Sequence, residues 1–206
     1  MLLRALDCAG LSFVCRAQVN LKNNNFGDEG WCAIFDALRN NPQNKIAKWS
    51  LYDEGINPTI AKSLAAYMAI SASLTEINLF HNSMGEEGGA AIAESLKVNR
   101  SLVTLKSNFL GLKGCHTMAE ALKVNTVLKT LELPNNGIGS DGAKVLAGGL
   151  AVNASLTAAN LLLNKFDADA ATMLLKAKQA HPKLTTLCGF KGDETSINFF
   201  CKGLGP

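Results

Sequence analysis

Ile77-Asn78-Leu79-Phe80-His81-Asn82-Ser83-Met84-Gly85 decides the fold of this chain, because the same phrase returns along its length. The phrase is an apolar residue, any residue, leucine, two further residues, asparagine, any residue, an apolar residue and glycine. Its asparagine position is occupied by Asn24, Glu54, Asn82, Asn108, Asn136 and Asn164. Successive copies are therefore 30, 28, 26, 28 and 28 residues apart. A nearly fixed period of this size is typical of a stacked array of repeats.

Each copy combines the signals of a short strand and of a helix. Leu74, Ile77 and Leu79 are separated by polar residues, which predicts a strand with one buried face. Ile92 and Leu96 then follow helical spacing. Parallel strands lie about 4.8 Å apart, whereas packed helices need roughly 8–10 Å. Because of this mismatch, the array is expected to curve with the sheet on its concave side.

The predicted fold class is α/β, a right-handed solenoid with a parallel β-sheet on the concave face and α-helices on the convex face. Residues 1–206 are expected to form a single domain of about seven repeats. The predicted units span roughly 16–45, 46–73, 74–100, 101–125, 126–153, 154–181 and, as a partial unit, 182–206.

Two units depart from the period. The long first step predicts two extra residues within 39–45. The step from Asn82 to Asn108 is two residues short, and Val103, Thr104 and Leu105 match the strand pattern. This match predicts that the two residues are lost from the loop over 99–102, where insertions and deletions are tolerated.

The repeated phrase and the helix pattern Gly-x-x-Gly-Ala-x-x-Leu-Ala-x-x-Leu resemble the leucine-rich repeat family, in its ribonuclease-inhibitor-like subclass. They are similar to repeats of NOD-like receptors and of Ran GTPase-activating proteins, and the resemblance covers roughly residues 16–192. In that family the recurrent asparagine forms a buried ladder, which gives hydrogen-bond partners to backbone groups of adjoining turns. The resemblance implies this structural role for Asn24, Asn82, Asn108, Asn136 and Asn164. Glu54 has no amide donor, so the second unit is expected to be looser there.

Outward-facing strand and turn positions are expected to form columns along the concave face. One column holds Asn20, Ser50, Asn78, Thr104, Glu132, Asn160 and Cys188; the next holds Lys22, Tyr52, Phe80, Lys106, Pro134, Leu162 and Phe190; a third holds Asn23, Asp53, His81, Ser107, Asn135, Leu163 and Lys191. Exposed aromatic residues favour a binding surface over mere cover for neighbouring strands. The predicted partner-binding residues are Tyr52, Phe80, His81, Lys106, Glu132, Leu162 and Phe190.

No residue pattern predicts catalysis, so the chain is predicted not to be an enzyme. His81, His116 and His181 fall at unrelated places in the repeat, and His81 with Asp53 is interpreted as an incidental surface pair. The glycine-rich turns occur once per repeat, which indicates a structural role rather than phosphate binding. The 6 cysteines include no CxxC pair. We therefore expect no catalytic residue, no metal site and no cofactor.

Composition and charge exclude other classes of partner. The net charge is +3 without any basic run, which argues against nucleic acid. No apolar run is long enough for a membrane span, and no signal peptide is evident. Cysteines without a disulfide framework favour the cytoplasm. The sequons at Asn99 and Asn153 fall in the same loop of the repeat, which favours a structural role over glycosylation.

These observations predict a protein–protein interaction module that binds a protein partner on its concave face, as part of a larger scaffold or sensor protein. Two alternatives stay open. A GTPase-activating protein of the Ran type would need a suitably placed arginine and an acidic tail, and no such tail is present. A purely structural array would self-associate through its ends, which lack the polar outer face of a capping repeat.

Overall fold

Short strands and longer helices alternate along the chain in the computed structural model, which describes residues 17–19, 21, 24, 26–41, 43–107 and 110–188. The elements are β1 (Ala17–Val19), α1 (Gly27–Arg39), β2 (Ile46–Ser50), α2 (Pro58–Ile70), β3 (Glu76–Asn78), α3 (Gly85–Ser95), β4 (Thr104–Lys106), α4 (Gly111–Val124), β5 (Thr130–Glu132), α5 (Gly139–Val152), β6 (Ala158–Asn160), α6 (Ala168–Ala180) and β7 (Thr186–Leu187).

The strands β1 to β7 form one parallel sheet in sequence order. The middle residues of neighbouring strands, such as Ile77, Leu105 and Leu131, are paired in register and are buried against the helices. The residues on either side of them are half-buried or exposed and face away from the helices. This uncovered side of the sheet is the concave face. The predicted α/β solenoid with a parallel sheet and a layer of helices is confirmed.

Each helix packs against the next one along the chain. The glycine that ends the repeated phrase, as at Gly85 and Gly139, has φ near +60°, so it can turn the chain from strand into helix without a steric penalty. The α4 and α5 backbones approach closely at another glycine, because a Cβ added to Gly149 would lie 2.7 Å from the Ala119 carbonyl oxygen. Small residues therefore set the spacing of the helix layer.

The core is aliphatic along most of the array and aromatic near β2. Trp31 stacks on Phe35 with ring centroids 5.6 Å apart, and Phe35 meets Trp49 edge-on at 5.3 Å. Trp49 in turn contacts Tyr67 at 6.2 Å. These rings join α1, β2 and α2 through contacts worth more than their buried area alone.

The location predicted for the shortened step is wrong. Ile77 pairs with Leu105, which is 28 residues away, and Leu105 pairs with Leu131, which is only 26 away. The loop over 99–102 has therefore kept its full length, and the two missing residues belong to the turn between β4 and α4. Ser107 is buried where the neighbouring units place a leucine. Side chains in a strand alternate with a period of two, so a shift by two residues leaves the pattern unchanged.

Candidate interaction surface

The recurrent asparagine ties the strand-to-helix turns of adjacent units together. The Asn82 amide donates to the carbonyl oxygens of Leu51 in the preceding unit (2.6 Å) and of Leu79 in its own unit (2.9 Å). Its side-chain oxygen accepts hydrogen bonds from the backbone N–H groups of Ile56 (2.9 Å) and Glu54 (3.1 Å). Asn82 is buried, so these bonds satisfy backbone groups that water does not reach.

Asn136 and Asn164 repeat this geometry in later units. The Asn136 amide donates to the Ser107 carbonyl oxygen (2.9 Å), and its side-chain oxygen accepts from the Leu110 N–H (3.1 Å). The Asn164 amide donates to the Leu133 carbonyl oxygen (2.8 Å). Both side chains are buried.

The first asparagine of the series differs from the later ones. Asn24 is exposed, and its amide donates to the Leu21 carbonyl oxygen within its own unit (2.6 Å). The buried position expected for it is therefore wrong. Asn108, which was assigned the same role, lies outside the described residues.

A second row of asparagines, which the sequence reasoning missed, binds the opposite ends of the units. Asn99, Asn125 and Asn153 follow α3, α4 and α5, and all three are buried. The Asn99 amide donates to the Met68 carbonyl oxygen of the preceding unit (2.7 Å), and its side-chain oxygen accepts from the N–H of Leu102 (2.7 Å). The recurring spacing Asn-x-x-Leu is the signal in the sequence that could have revealed this row. The buried amides give both sequons a structural role.

His181 takes the asparagine position at the end of this second row. Its Nδ1 accepts a hydrogen bond from the Leu184 N–H (3.1 Å), as the asparagine oxygens do. Its Nε2 is buried and has no hydrogen-bond partner among the described residues. Burial lowers the pKa of His181 below its ordinary value, because the charged imidazolium would lose its hydration.

Charges on the concave face are paired across neighbouring strands. Lys48 bonds Glu76 at 2.7 Å, and the Lys106 ammonium lies 3.4 Å from the Glu132 carboxylate. The column predicted for Lys106, beside Phe80, is wrong, because the shortened turn follows β4 and Lys106 pairs in register with Glu132. The predicted binding residues Lys106 and Glu132 thus neutralise one another and leave little net charge at the centre of the sheet.

Two positions that were predicted to face outward, Ser107 and Cys188, are buried. Ser107 takes the inward position that leucines hold in other units, because the turn after it is short. Cys188 is also buried, and its sulfur accepts a hydrogen bond from the Leu161 N–H (3.3 Å).

An aromatic pair stands at the rim where the strands end. The rings of Tyr52 and His81 contact each other with centroids 4.7 Å apart, and Phe80 is half-buried next to His81. Tyr52 is 37% exposed. His81 also adopts φ +59°. The structure therefore brings the predicted residues Tyr52, Phe80 and His81 to one exposed rim.

A second apolar group lies on the same rim, beyond the shortened turn. Leu162 is half-buried against the core, and Leu163 next to it is 57% exposed. Leu163 has φ +61°, a conformation that costs a residue with a branched side chain about 1–2 kcal/mol. The equivalent residue one unit earlier, Asn135, adopts the same conformation with less strain. Phe190, predicted to extend this group, lies outside the described residues.

The described residues contain no cluster of three or more side chains suited to a metal ion. Burial raises the pKa of the Cys115 thiol to about 12, and the Glu86 carboxylate adds to the effect. A thiol with so high a pKa is a poor nucleophile at neutral pH. Among the helices of the described segments, none is long and apolar enough to cross a membrane.

Comparisons with known proteins agree with this geometry. Residues 71–93 and 124–147 match the family model described as Leucine Rich repeat. The human NACHT, LRR and PYD domains-containing protein 5 is 33% identical over 106 residues, which are 45% of this chain and 9% of that protein. The chain therefore spans about a tenth of the length of this curated relative.

Two solved structures share the fold. Actin-binding site 2 of leiomodin-1 superposes with a TM-score of 0.61 at 18% identity, covering 71% of this chain and 86% of that one. The tropomodulin C-terminal domain of Caenorhabditis elegans gives a TM-score of 0.60 at 13% identity, covering 73% and 92%. At these identities the likeness concerns the fold alone.

The parallel sheet, the helix layer and the two matched segments define the fold as a leucine-rich repeat solenoid. Domains of this kind generally mediate protein–protein interaction.

Proposed function

We propose that this chain is a protein-interaction module of a larger cytoplasmic scaffold or sensor, and that it binds a protein partner at the rim of its concave face. The observation that carries the proposal is the rim formed by Tyr52, Phe80, His81, Leu162 and Leu163, in which Tyr52, His81 and Leu163 are exposed and Phe80 and Leu162 are half-buried. Tyrosine is one of the residue types that are enriched among the few residues that dominate the free energy of binding at interfaces.

Strain at the rim supports the same conclusion. A leucine that is exposed and held at positive φ gains little from burial and loses about 1–2 kcal/mol to its backbone conformation. Strained residues of this kind cluster at ligand-binding sites. The neutralised charges of Lys106 and Glu132 leave apolar contact as the main source of affinity on this face.

Affinity capture from a lysate of native cells, followed by quantitative mass spectrometry, tests the proposal. The chain with Tyr52→Ala and Phe80→Ala is expected to lose partners that the wild type retains. Leu163→Asn provides a sharper variant, because asparagine tolerates positive φ and should keep or raise the melting temperature while it weakens capture. Leu112→Ala is the matched control, since Leu112 is 43% exposed on the convex side.

Unchanged capture by the rim variants would contradict the proposal. A large fall in melting temperature for the Tyr52 and Phe80 double variant would instead identify these rings as core residues. Leu163→Asn separates the two outcomes, because it removes an exposed apolar side chain without opening a cavity.

The GTPase-activating alternative gains no support from the described part of the chain. Its arginines there are Arg39 and Arg100, and both lie where helices end, away from the concave face. The leiomodin-1 structure is named as an actin-binding site of that protein. Co-sedimentation with filamentous actin would test whether this chain also binds actin. An assay of GTP hydrolysis would test the GTPase-activating alternative.

A further inference from the structure

A row of exposed aliphatic residues runs along the edge of the solenoid where the helices end. Ile70, Val124 and Val152 are the last residues of α2, α4 and α5, and Val98 lies three residues beyond the end of α3. All four occupy the same position of four consecutive units. They are 59%, 60%, 51% and 61% exposed. Each directly precedes a buried residue, Ser71, Asn99, Asn125 or Asn153, that begins the connection to the next strand. We call these four residues the aliphatic row.

The surroundings of the aliphatic row carry an excess of positive charge. The helix ends and the connections that follow them lie within 36–45, 67–75, 92–103, 120–129, 148–157 and 176–185. Their basic residues are Arg39, Lys45, Lys97, Arg100, Lys123, Lys129, Lys176, Lys178 and Lys183. Their acidic residues are Asp36, Glu94 and Glu120.

Each of these three acidic residues is already bonded to a base on its own helix: Asp36 to Arg39 at 3.2 Å, Glu94 to Lys97 at 2.7 Å and Glu120 to Lys123 at 2.6 Å. The surplus charge of this edge is therefore positive.

The opposite edge has the reverse charge. The described strand-to-helix turns and first helical turns carry two lysines, Lys113 and Lys165, and nine acidic residues: Asp28, Glu29, Asp53, Glu54, Glu86, Glu87, Asp141, Asp167 and Asp169. Helix dipoles favour this distribution, because they stabilise acids at helix N-termini and bases at C-termini. The dipoles give no reason, however, for exposed aliphatic residues among the bases. Those residues need a separate explanation.

A cavity opens beside one end of the aliphatic row. It has a volume of about 360 Å³ and is lined by Ile70, Leu38, Tyr67, Arg39 and Lys45 among others. The Tyr67 hydroxyl donates to the Asn44 side-chain oxygen (3.2 Å), so its ring is held in place as a wall. The cavity therefore has room for a large apolar side chain, and two of its lining residues, Arg39 and Lys45, are cationic.

The spacing of the aliphatic row matches one type of occupant. Neighbouring helices pack roughly 8–10 Å apart, so successive row residues are separated by a similar distance. Residues seven apart on an α-helix are separated by about 10.5 Å along its axis. A helix of about 20 residues would span all four units with one apolar side chain at each.

We propose that this edge is a second interaction surface, which binds an acidic amphipathic α-helix of a protein partner. Apolar residues seven positions apart on that helix would lie on the aliphatic row, and one of them would enter the cavity beside Ile70. Aspartate and glutamate on its flanks would meet the surplus bases, which include Lys45 and Arg100. This surface is separate from the rim of the concave face.

Selection from a displayed library of helical peptides tests the proposal. The wild-type chain is the bait, and the chain with Val98→Ser and Val124→Ser is used for counter-selection. Both substitutions are at exposed positions and serine matches valine in helix propensity, so the fold should be retained. Leu112→Ser is the matched control, since Leu112 is also an exposed aliphatic residue but lies at the other end of α4.

We expect the recovered peptides to carry apolar residues seven apart with acidic neighbours. Their affinity, measured by fluorescence anisotropy, should fall at least tenfold for the Val98 and Val124 double variant. It should be unchanged for Leu112→Ser and should weaken as salt is added.

Three results would overturn the proposal. The selected peptides could lack this pattern, or could bind the double variant as tightly as the wild type. Vesicles containing phosphatidylserine could bind the wild type but not the double variant, which would identify an anionic membrane as the occupant. The wild type could dimerise in sedimentation experiments while the double variant stays monomeric, which would identify a second copy of the chain.

Discussion

Replacing Asn136 by alanine removes a side chain that makes three hydrogen bonds, two of them to the preceding unit. Its amide donates to the carbonyl oxygens of Ser107 (2.9 Å) and Pro134 (3.1 Å), and its oxygen accepts from the Leu110 N–H (3.1 Å). The side chain is 2% exposed, so water cannot replace it without a rearrangement. The Ser107 carbonyl and the Leu110 N–H belong to the preceding unit, and both lose this partner.

Each buried backbone group left without a partner costs about 1–3 kcal/mol, so the loss of two predicts a fall of about 3 kcal/mol in the free energy of unfolding. For a chain of this size, that corresponds to a fall of about 6–12 °C in melting temperature. Circular dichroism during thermal and urea unfolding measures both quantities.

Asn160→Ala is the matched control for this experiment. Asn160 is half-buried on the concave face, and its oxygen accepts a bond from Leu162 within its own turn (3.1 Å). Its loss should cost no more than about 1 kcal/mol. If Asn136→Ala melts at the same temperature as Asn160→Ala, the reasoning about the asparagine row is refuted.

Three further predictions concern packing, protonation and thiol reactivity. Gly149→Ala should lower the free energy of unfolding by about 1–3 kcal/mol, because the added Cβ would lie 2.7 Å from the Ala119 carbonyl oxygen. Gly148→Ala should raise it by up to about 1 kcal/mol, because nothing lies within 4 Å of the added Cβ. Urea unfolding of the two variants should therefore show changes of opposite sign in the free energy of unfolding. The lowered pKa of His181 means that the unfolded chain takes up its proton first, so stability should fall as the pH drops below 6.5, and His181→Asn should flatten this dependence and raise the melting temperature at pH 7. Because burial raises the pKa of Cys115 to about 12, its alkylation at pH 8, followed by mass spectrometry, should occur only as fast as the chain opens.

The order of strands and helices could be predicted from the period, because the inward residues recur in every unit. The position of the shortened step could not. Ser107 occupies the position that a leucine holds in the other units. The leucine of the repeated phrase was therefore assigned to Leu105, two residues too early in the sequence. Inward and outward positions keep their alternation after such a shift, and only pairing across the sheet, as between Lys106 and Glu132, reveals the correct register.

The candidate surfaces were predictable to a lesser degree. Tyr52 and Phe80 are recognisable from the strand pattern, but the contact of Tyr52 with His81 depends on the conformation of a turn. Val98 and Val124 look like ordinary helix residues in the sequence. Their exposure follows from where α3 and α4 end and from the direction in which the buried asparagines hold the chain, and both are properties of the stacked array.

Two groups of residues have separate roles: the buried asparagines hold the array together, and the exposed rim residues bind a partner. One paired measurement tests that separation most directly: the melting temperature and the capture of partners from native lysate, for Asn136→Ala and for Leu163→Asn. Asn136→Ala should have a lower melting temperature than the wild type, whereas the melting temperature of Leu163→Asn should not be lower. When capture is measured at a temperature below both melting points, Asn136→Ala should retain the wild-type set of partners and Leu163→Asn should lose partners. Equal capture by Leu163→Asn and the wild type, or loss of partners only in Asn136→Ala, would contradict the account.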